Sequence, residues 1–164
     1  MAADIDLDSL ANDRERIRKE FLRDPRPESS ARGIHHTAHI SSDVQRTVEF
    51  FQGLLEFPLT EIFENRDYPG SSHFFFDVGQ GNLLAYFDLP GLDLEEYKEV
   101  LGGHHHLAIS VTRERWDHLR ARLDDAGVEY MVESTTSIYF RGPDGERLEL
   151  LADPLGEMYG TKVL

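Results

Sequence analysis

Three residues far apart in this sequence occupy equivalent places in two copies of one pattern: His36, His106 and Glu149. His36 lies six residues before Ser42, which opens a helical pattern, and His106 lies six residues before Thr112, which opens another. The copies also close in step, because Gly81, Ala85 and Pro90 recur 64 residues later as Gly145, Glu149 and Pro154. Two imidazoles and one carboxylate, each delivered by a strand, suit a divalent cation that keeps positions open for a substrate. The three are therefore a candidate metal triad. His35 and His105 share the same offset to the helix caps and stand as alternatives to their neighbours.

Alternation along the strands sorts which side chains share a face. Over 104–111, Leu107, Ile109 and Val111 fit the helix side, which leaves His104, His106, Ala108 and Ser110 on the other. Leu148 and Leu150 pack inward and Glu149 outward; Ile138 and Phe140 pack inward and Tyr139 outward. His106, Tyr139 and Glu149 then converge on one concave surface, where Tyr139 is a candidate proton or hydrogen-bond donor. In the first copy, His73 takes the corresponding face as a second acid or base or as a polar lining group, with Phe75 and Phe87 as an apolar wall suited to a planar substrate. The first strand alternates less cleanly. With His36 in the cup, Thr37, His39 and Ser41 face the helix, where apolar residues are expected, and a slip of one residue would present His35 and His39 instead.

The elements that must hold these residues follow from periodicity and punctuation. Residues 5–23 read as a helix with Leu10, Ile17 and Phe21 on one side, stopped by the Pro25 and Pro27 stretch; it is expected to pack on the domain or on a partner subunit. The first module then runs as strand 34–41, helix 43–55, strands near 58–66 and 72–78, a glycine turn and strand 83–87. Ser42 and Gln45 read as a capping box. The second repeats the order with strand 104–111, helix 113–126 and strands near 128–132, 136–141 and 146–151. The expected division is an N-terminal extension over 1–32, modules over 33–90 and 103–154 joined by 91–102, and a tail over 155–164.

Composition narrows the function. With 31 Asp and Glu against 17 Lys and Arg, the formal charge of −14 repels phosphate backbones and anionic lipid, so neither nucleic acid nor membrane is an expected partner. The chain has no cysteine, so any metal must sit on nitrogen and oxygen. Met1 to Leu10 shows no signal-peptide pattern, and no stretch nears the roughly 20 apolar residues of a membrane span. The expected setting is the cytoplasm.

The run His36-Thr37-Ala38-His39-Ile40-Ser41-Ser42-Asp43-Val44, with Phe50-Phe51 and Leu54-Leu55-Glu56-Phe57 after it, resembles the opening of a vicinal oxygen chelate protein. That superfamily includes glyoxalase I, extradiol dioxygenases, fosfomycin-resistance enzymes and bleomycin-binding proteins. The second copy, from His106 through Tyr139-Phe140-Arg141-Gly142-Pro143-Asp144-Gly145 to Glu149, is similar over its full length. The resemblance implies an α+β fold of two tandem βαβββ modules whose curved mixed sheets form a cup, within one chain or across a homodimer. It puts family metal ligands on His36, His106 and Glu149, and a fourth family position on Ala85, which cannot bind metal. Tyr139 falls where the extradiol signature has its tyrosine. Two features depart from that signature: Gly142 replaces a small polar residue, and no histidine lies just upstream of Ile138.

The resemblance thus implies a small-molecule enzyme of extradiol dioxygenase type using Fe(II) or Mn(II). The alternative is a redox-neutral lyase, isomerase or transferase of the same superfamily, with Ni(II), Zn(II) or Co(II) also admitted. A metal-free, bleomycin-resistance-like binding protein is the third reading, against which the triad argues.

Overall fold

The computed structural model describes residues 5–164, which form two units, one ending at Ile34 and the other running from His35 to Leu164. In the first unit, α1 (Leu7–Phe21) begins at Asp6, whose carboxylate accepts from the Ser9 N–H at 3.0 Å. The helix is two residues shorter at each end than its periodicity suggests. None of its residues is buried, and ion pairs such as Arg16 with Glu20 and Lys19 with Glu15 run along its surface.

The second unit contains the repeat. Strand β1 (His36–Ser41) leads into α2 (Val44–Val48), followed by β2 (Leu59–Glu64), β3 (Ser72–Asp77) and β4 (Leu83–Asp88). Then come β5 (Leu107–Ser110), α3 (Arg113–Asp125), β6 (Tyr130–Val132), β7 (Ser137–Arg141) and β8 (Arg147–Leu151). The sheets have matching orders, β1-β4-β3-β2 and β5-β8-β7-β6. In each, the first strand runs parallel to the last of its module and the other pairings are antiparallel. This is the expected α+β architecture of two βαβββ modules. Beyond it, where only a tail is expected, β9 (Glu157–Met158) and β10 (Thr161–Lys162) form a hairpin.

Three local expectations are corrected. The cap of α2 is Asp43, which accepts from the Arg46 N–H at 3.0 Å; the Ser42 hydroxyl is drawn instead to Asp144 and Gln45 to Glu49. The helix expected to run regularly over 43–55 becomes a π-helix over Glu49–Leu54. Its wider turn sets Phe51 against Phe76 and Tyr86 of the first sheet and Phe50 against Phe140 of the second. Finally, β5 starts at Leu107 rather than near His104, because the Tyr97 hydroxyl takes up the His104 and His105 carbonyls that a neighbouring strand would otherwise use.

One core joins the modules. Phe51, Leu55, Phe74, Phe76, Leu84 and Tyr86 cluster with Ile109, Trp116, Leu123, Ile138, Leu148 and Leu150. The indole of Trp116 donates to the Leu150 carbonyl at 3.0 Å, so its one polar atom is satisfied. At the edge, the Glu56 carboxylate meets Arg115 at 2.9 Å, His118 at 3.1 Å and Arg122 at 3.6 Å, clasping the end of the π-helix to α3. The His118 hydrogen bond, followed by the surrounding charges, holds its carboxyl below the usual range. Both sheets turn their helix-facing sides into this shared core, so their open faces point away from each other.

Candidate functional site

On β1, His36, Ala38 and Ile40 are exposed while Thr37 and His39 are half-buried and Ser41 is buried. His36 therefore stands on the open face, and the polar residues facing the helix are accommodated individually. Ser41 and Thr47 share a 2.7 Å hydrogen bond between hydroxyls, and the His39 ring lies against Tyr86 with centroids 5.4 Å apart. His35 precedes the strand, with its Nδ1 2.9 Å from that of His36.

Register fixes the neighbours on the open face of the first sheet. His36 pairs with Leu83, Ala38 with Ala85 and Ile40 with Phe87, while Phe87 pairs across to His73 and His73 to Phe63. The surface is thus mainly apolar and aromatic, with His36 at one end and His73 at the other. His73 stacks on Phe87 at 3.8 Å between centroids and lies 4.2 Å from Phe75. Burial, then the charge of His36, lowers its pKa.

The open face of the second sheet carries the other donors. Ala108 pairs with Glu149 and Glu149 with Tyr139, and His106 stands one residue before β5. His106 Nε2 is 3.1 Å from Glu149 Oε2. Glu149 is only 6% exposed, and its other oxygen accepts from the equally buried Ser137 hydroxyl at 2.5 Å. The Tyr139 ring lies edge-on to His106 at 5.2 Å, with the Arg147 guanidinium 4.7 Å from its centroid. Burial and the adjacent Glu149 carboxylate push the Tyr139 hydroxyl up to about 12, so at neutral pH it is protonated. His105 adjoins the site, with its Nδ1 2.7 Å from that of His106 and its Nε2 3.2 Å from a guanidinium nitrogen of Arg147.

The fold therefore gathers His106, Glu149 and Tyr139, and leaves His36 and His73 on the opposite-facing sheet. Among the described residues of one chain, no three His, Asp or Glu side chains come together as a metal site. The donors nonetheless fit a divalent cation chemically: an imidazole nitrogen and a carboxylate oxygen already point at each other, and the carboxylate is oriented from behind by Ser137. Ser137 was legible from strand alternation as a neighbour of Tyr139 on the open face, but not as a partner of Glu149. Tyr159, whose hydroxyl also acts electrostatically on Tyr139, lies between β9 and β10 and carried no signal.

Gly142, one of the two departures from the extradiol signature, has a steric reason. A Cβ there would collide with the Glu146 carboxyl. That carboxyl is 6% exposed and accepts from the Tyr86 hydroxyl at 2.8 Å and from the Asp144 N–H at 2.9 Å.

A family model described as the Glyoxalase/Bleomycin resistance protein/Dioxygenase superfamily matches residues 33–150. Metallothiol transferase FosB of Shouchella clausii is 31% identical over 133 residues, covering 76% of this chain and 83% of that one. The putative ring-cleaving dioxygenase MhqA of Bacillus subtilis is 24% identical over 139 residues, covering 80% of this chain but 43% of MhqA, so the chain spans less than half of that relative. Among solved structures, the fosfomycin resistance protein FosX of Listeria monocytogenes in complex with Mn(II) and sulfate superposes with a TM-score of 0.58 at 24% identity, covering 76% of this chain and 95% of that one. No helix among the described residues is long and apolar enough to cross a membrane.

Proposed function

Because the chain belongs to the glyoxalase/bleomycin resistance protein/dioxygenase superfamily, we propose that it is a divalent-metal enzyme acting on a small planar molecule that chelates through neighbouring oxygens, with extradiol-type ring cleavage as its reaction. The observation that carries this reading is the aromatic open face of the first sheet, where Phe63, Phe75 and Phe87 surround His73. Such a wall suits a flat ring better than a small, strongly polar substrate.

His106 and Glu149 of one copy would hold the cation with His36 of a second copy, because the sheet that bears His36 faces the other way within its own chain. Two such sites per homodimer follow from the isologous arrangement. A cation held there supplies a Lewis acid that orients neighbouring substrate oxygens, and iron or manganese also supplies electrons for reaction with dioxygen. Ser137 fixes the Glu149 carboxylate by donating to it. Tyr139, held protonated, donates a hydrogen bond or a proton to a substrate oxygen on the open face. The mixed histidine and carboxylate set admits Fe(II) and Mn(II) as readily as Ni(II), Zn(II) or Co(II).

A redox-neutral transferase or lyase reaction is the second reading, favoured by Arg147. Its guanidinium beside Tyr139 would meet an anionic substrate, and the relative FosB is a transferase. The two readings separate on oxygen. Anaerobically purified protein loaded with Fe(II) or Mn(II) should consume O₂ with a panel of catechols. If it does not, and thiol consumption or isomerisation proceeds anaerobically with Mn(II), Zn(II) or Ni(II), the transferase or lyase reading replaces ring cleavage.

A further inference from the structure

The cleft on the first sheet holds one polar atom that nothing in the protein satisfies. His73 Nε2 is buried and has no hydrogen-bond partner. It lies in a cleft of about 630 Å³ lined by Ile40, Phe63, Phe87 and Leu89, with Asn65, Arg66 and Asp67 at its polar edge. A buried ring nitrogen without a partner is costly unless a ligand or water completes it. The cleft volume is that of a pocket for a one- or two-ring compound.

The chemistry of the surroundings narrows the ligand. The Phe63 ring lies 5.5 Å edge-on to His73, and Phe75 and Phe87 lie closer still, so the apolar part is flat and aromatic in its preferences. The cation at the edge is already engaged: Arg66 forms a two-pronged pair with Asp67 at 2.8 and 3.0 Å. The edge of the cleft thus carries no net positive charge to favour an aromatic carboxylate over a neutral ring. The group that meets Nε2 must be neutral and must serve either imidazole tautomer, which a hydroxyl does because it both donates and accepts.

We propose that this cleft binds an uncharged, planar, hydroxyl-bearing aromatic molecule, with the hydroxyl hydrogen-bonded to His73 Nε2 and the ring seated among Phe63, Phe87 and Ile40. The proposal rests on the functional reading above in taking this ligand as the substrate. By register His36 and His73 lie four residues apart along the sheet, about 13 Å at the rise of a strand, and two strands apart across it, about 10 Å. The His73 hydroxyl contact thus recognises the part of the substrate remote from its chelating oxygens. His73 is a specificity-determining residue on this account.

The test is made on full-length, chelator-treated protein, so its failure is separate from failure of the metal triad, which is read by metal content. Calorimetric titrations would compare 2-naphthol, naphthalene and 2-naphthoate in the wild type, His73→Phe and His73→Gln. The wild type should bind 2-naphthol more tightly than the other two. His73→Phe, which keeps the stacking surface, should weaken 2-naphthol about fivefold or more, as expected of one lost hydrogen bond, and leave naphthalene unchanged. His73→Gln, which retains a donor and an acceptor, should restore part of the loss. Equal weakening of both probes, no effect of His73→Phe, tightest binding of 2-naphthoate, or no binding to folded wild type would each overturn the proposal.

Discussion

His106 Nε2 and Glu149 Oε2 stand 3.1 Å apart on the open face of the second sheet, and Ser137 holds the far oxygen of the same carboxylate. His106 and Glu149 would hold a cation in place of their contact with each other, with Ser137 still fixing the carboxylate. Glu149→Ala and His106→Ala should therefore abolish stoichiometric metal, measured by elemental analysis of anaerobically purified protein. Ser137→Ala leaves every donor in place but frees the carboxylate to rotate, so it should weaken metal binding roughly 10- to 100-fold without abolishing it. Full occupancy in Glu149→Ala would remove the triad.

The opposite orientation of the two sheets makes a distinct prediction for His36. Neither His36→Ala nor Glu149→Ala should load metal alone, yet co-expressed chains carrying one change each should. In a mixed dimer, one site receives both defects and the other receives none. With random pairing, about a quarter of the wild-type metal content should return. No recovery in a verified mixed dimer would mean that the site is not shared between copies.

Much of this arrangement was legible in the sequence because a repeat constrains itself. The offset of His36 and His106 to their helices, and of Ala85 and Glu149 to their turns, reappears as register: Ala38 beside Ala85 and Ala108 beside Glu149. Alternation put Tyr139 on the same face as Glu149 because β7 and β8 are regular strands. It was weaker on β1, where Thr37, His39 and Ser41 blur the period. Their burial depends on partners distant in sequence or on another element, such as Tyr86 for His39 and Thr47 for Ser41. The cap of α2 is not legible locally, because Ser42 is claimed by Asp144, 102 residues away, and local patterns cannot register such competition. The pairing of β9 with β10 and the reach of Tyr159 toward Tyr139 likewise depend on tertiary placement.

Tyr86 and Glu146 form the buried polar link between the modules. The phenol donates to the carboxylate at 2.8 Å, and both residues are almost fully buried. Tyr86→Phe preserves shape but leaves a buried carboxylate short of a donor, which should destabilise the fold by about 1–3 kcal/mol. Tyr86→Phe combined with Glu146→Gln should recover part of that loss, because a neutral amide costs less to leave underbonded than a carboxylate. Denaturant midpoints at fixed protein concentration would show both effects. A single change with no measurable cost would mean that water or another donor already serves Glu146.

His39 links stability to pH. Burial, followed by the nearby His104, lowers its pKa from 6.5 to about 4, and its Nε2 has no protein partner. The native state thus keeps this ring neutral where the unfolded chain would protonate it. Between about pH 6.5 and pH 4 the unfolded state binds more protons, so stability rises with pH across that window. The contribution is fully present above pH 6.5, shrinks as pH falls and is gone below about pH 4. At ~1.4 kcal/mol per unit, the loss across the window is about 3–4 kcal/mol. His39→Leu removes the titration and buries no unpartnered nitrogen, so its stability relative to wild type should improve as the pH falls. Urea unfolding of both proteins at pH 7.5, 6 and 5 would reveal a narrowing or reversal of their difference; parallel pH profiles would mean that His39 is already protonated, or already solvated, in the native state.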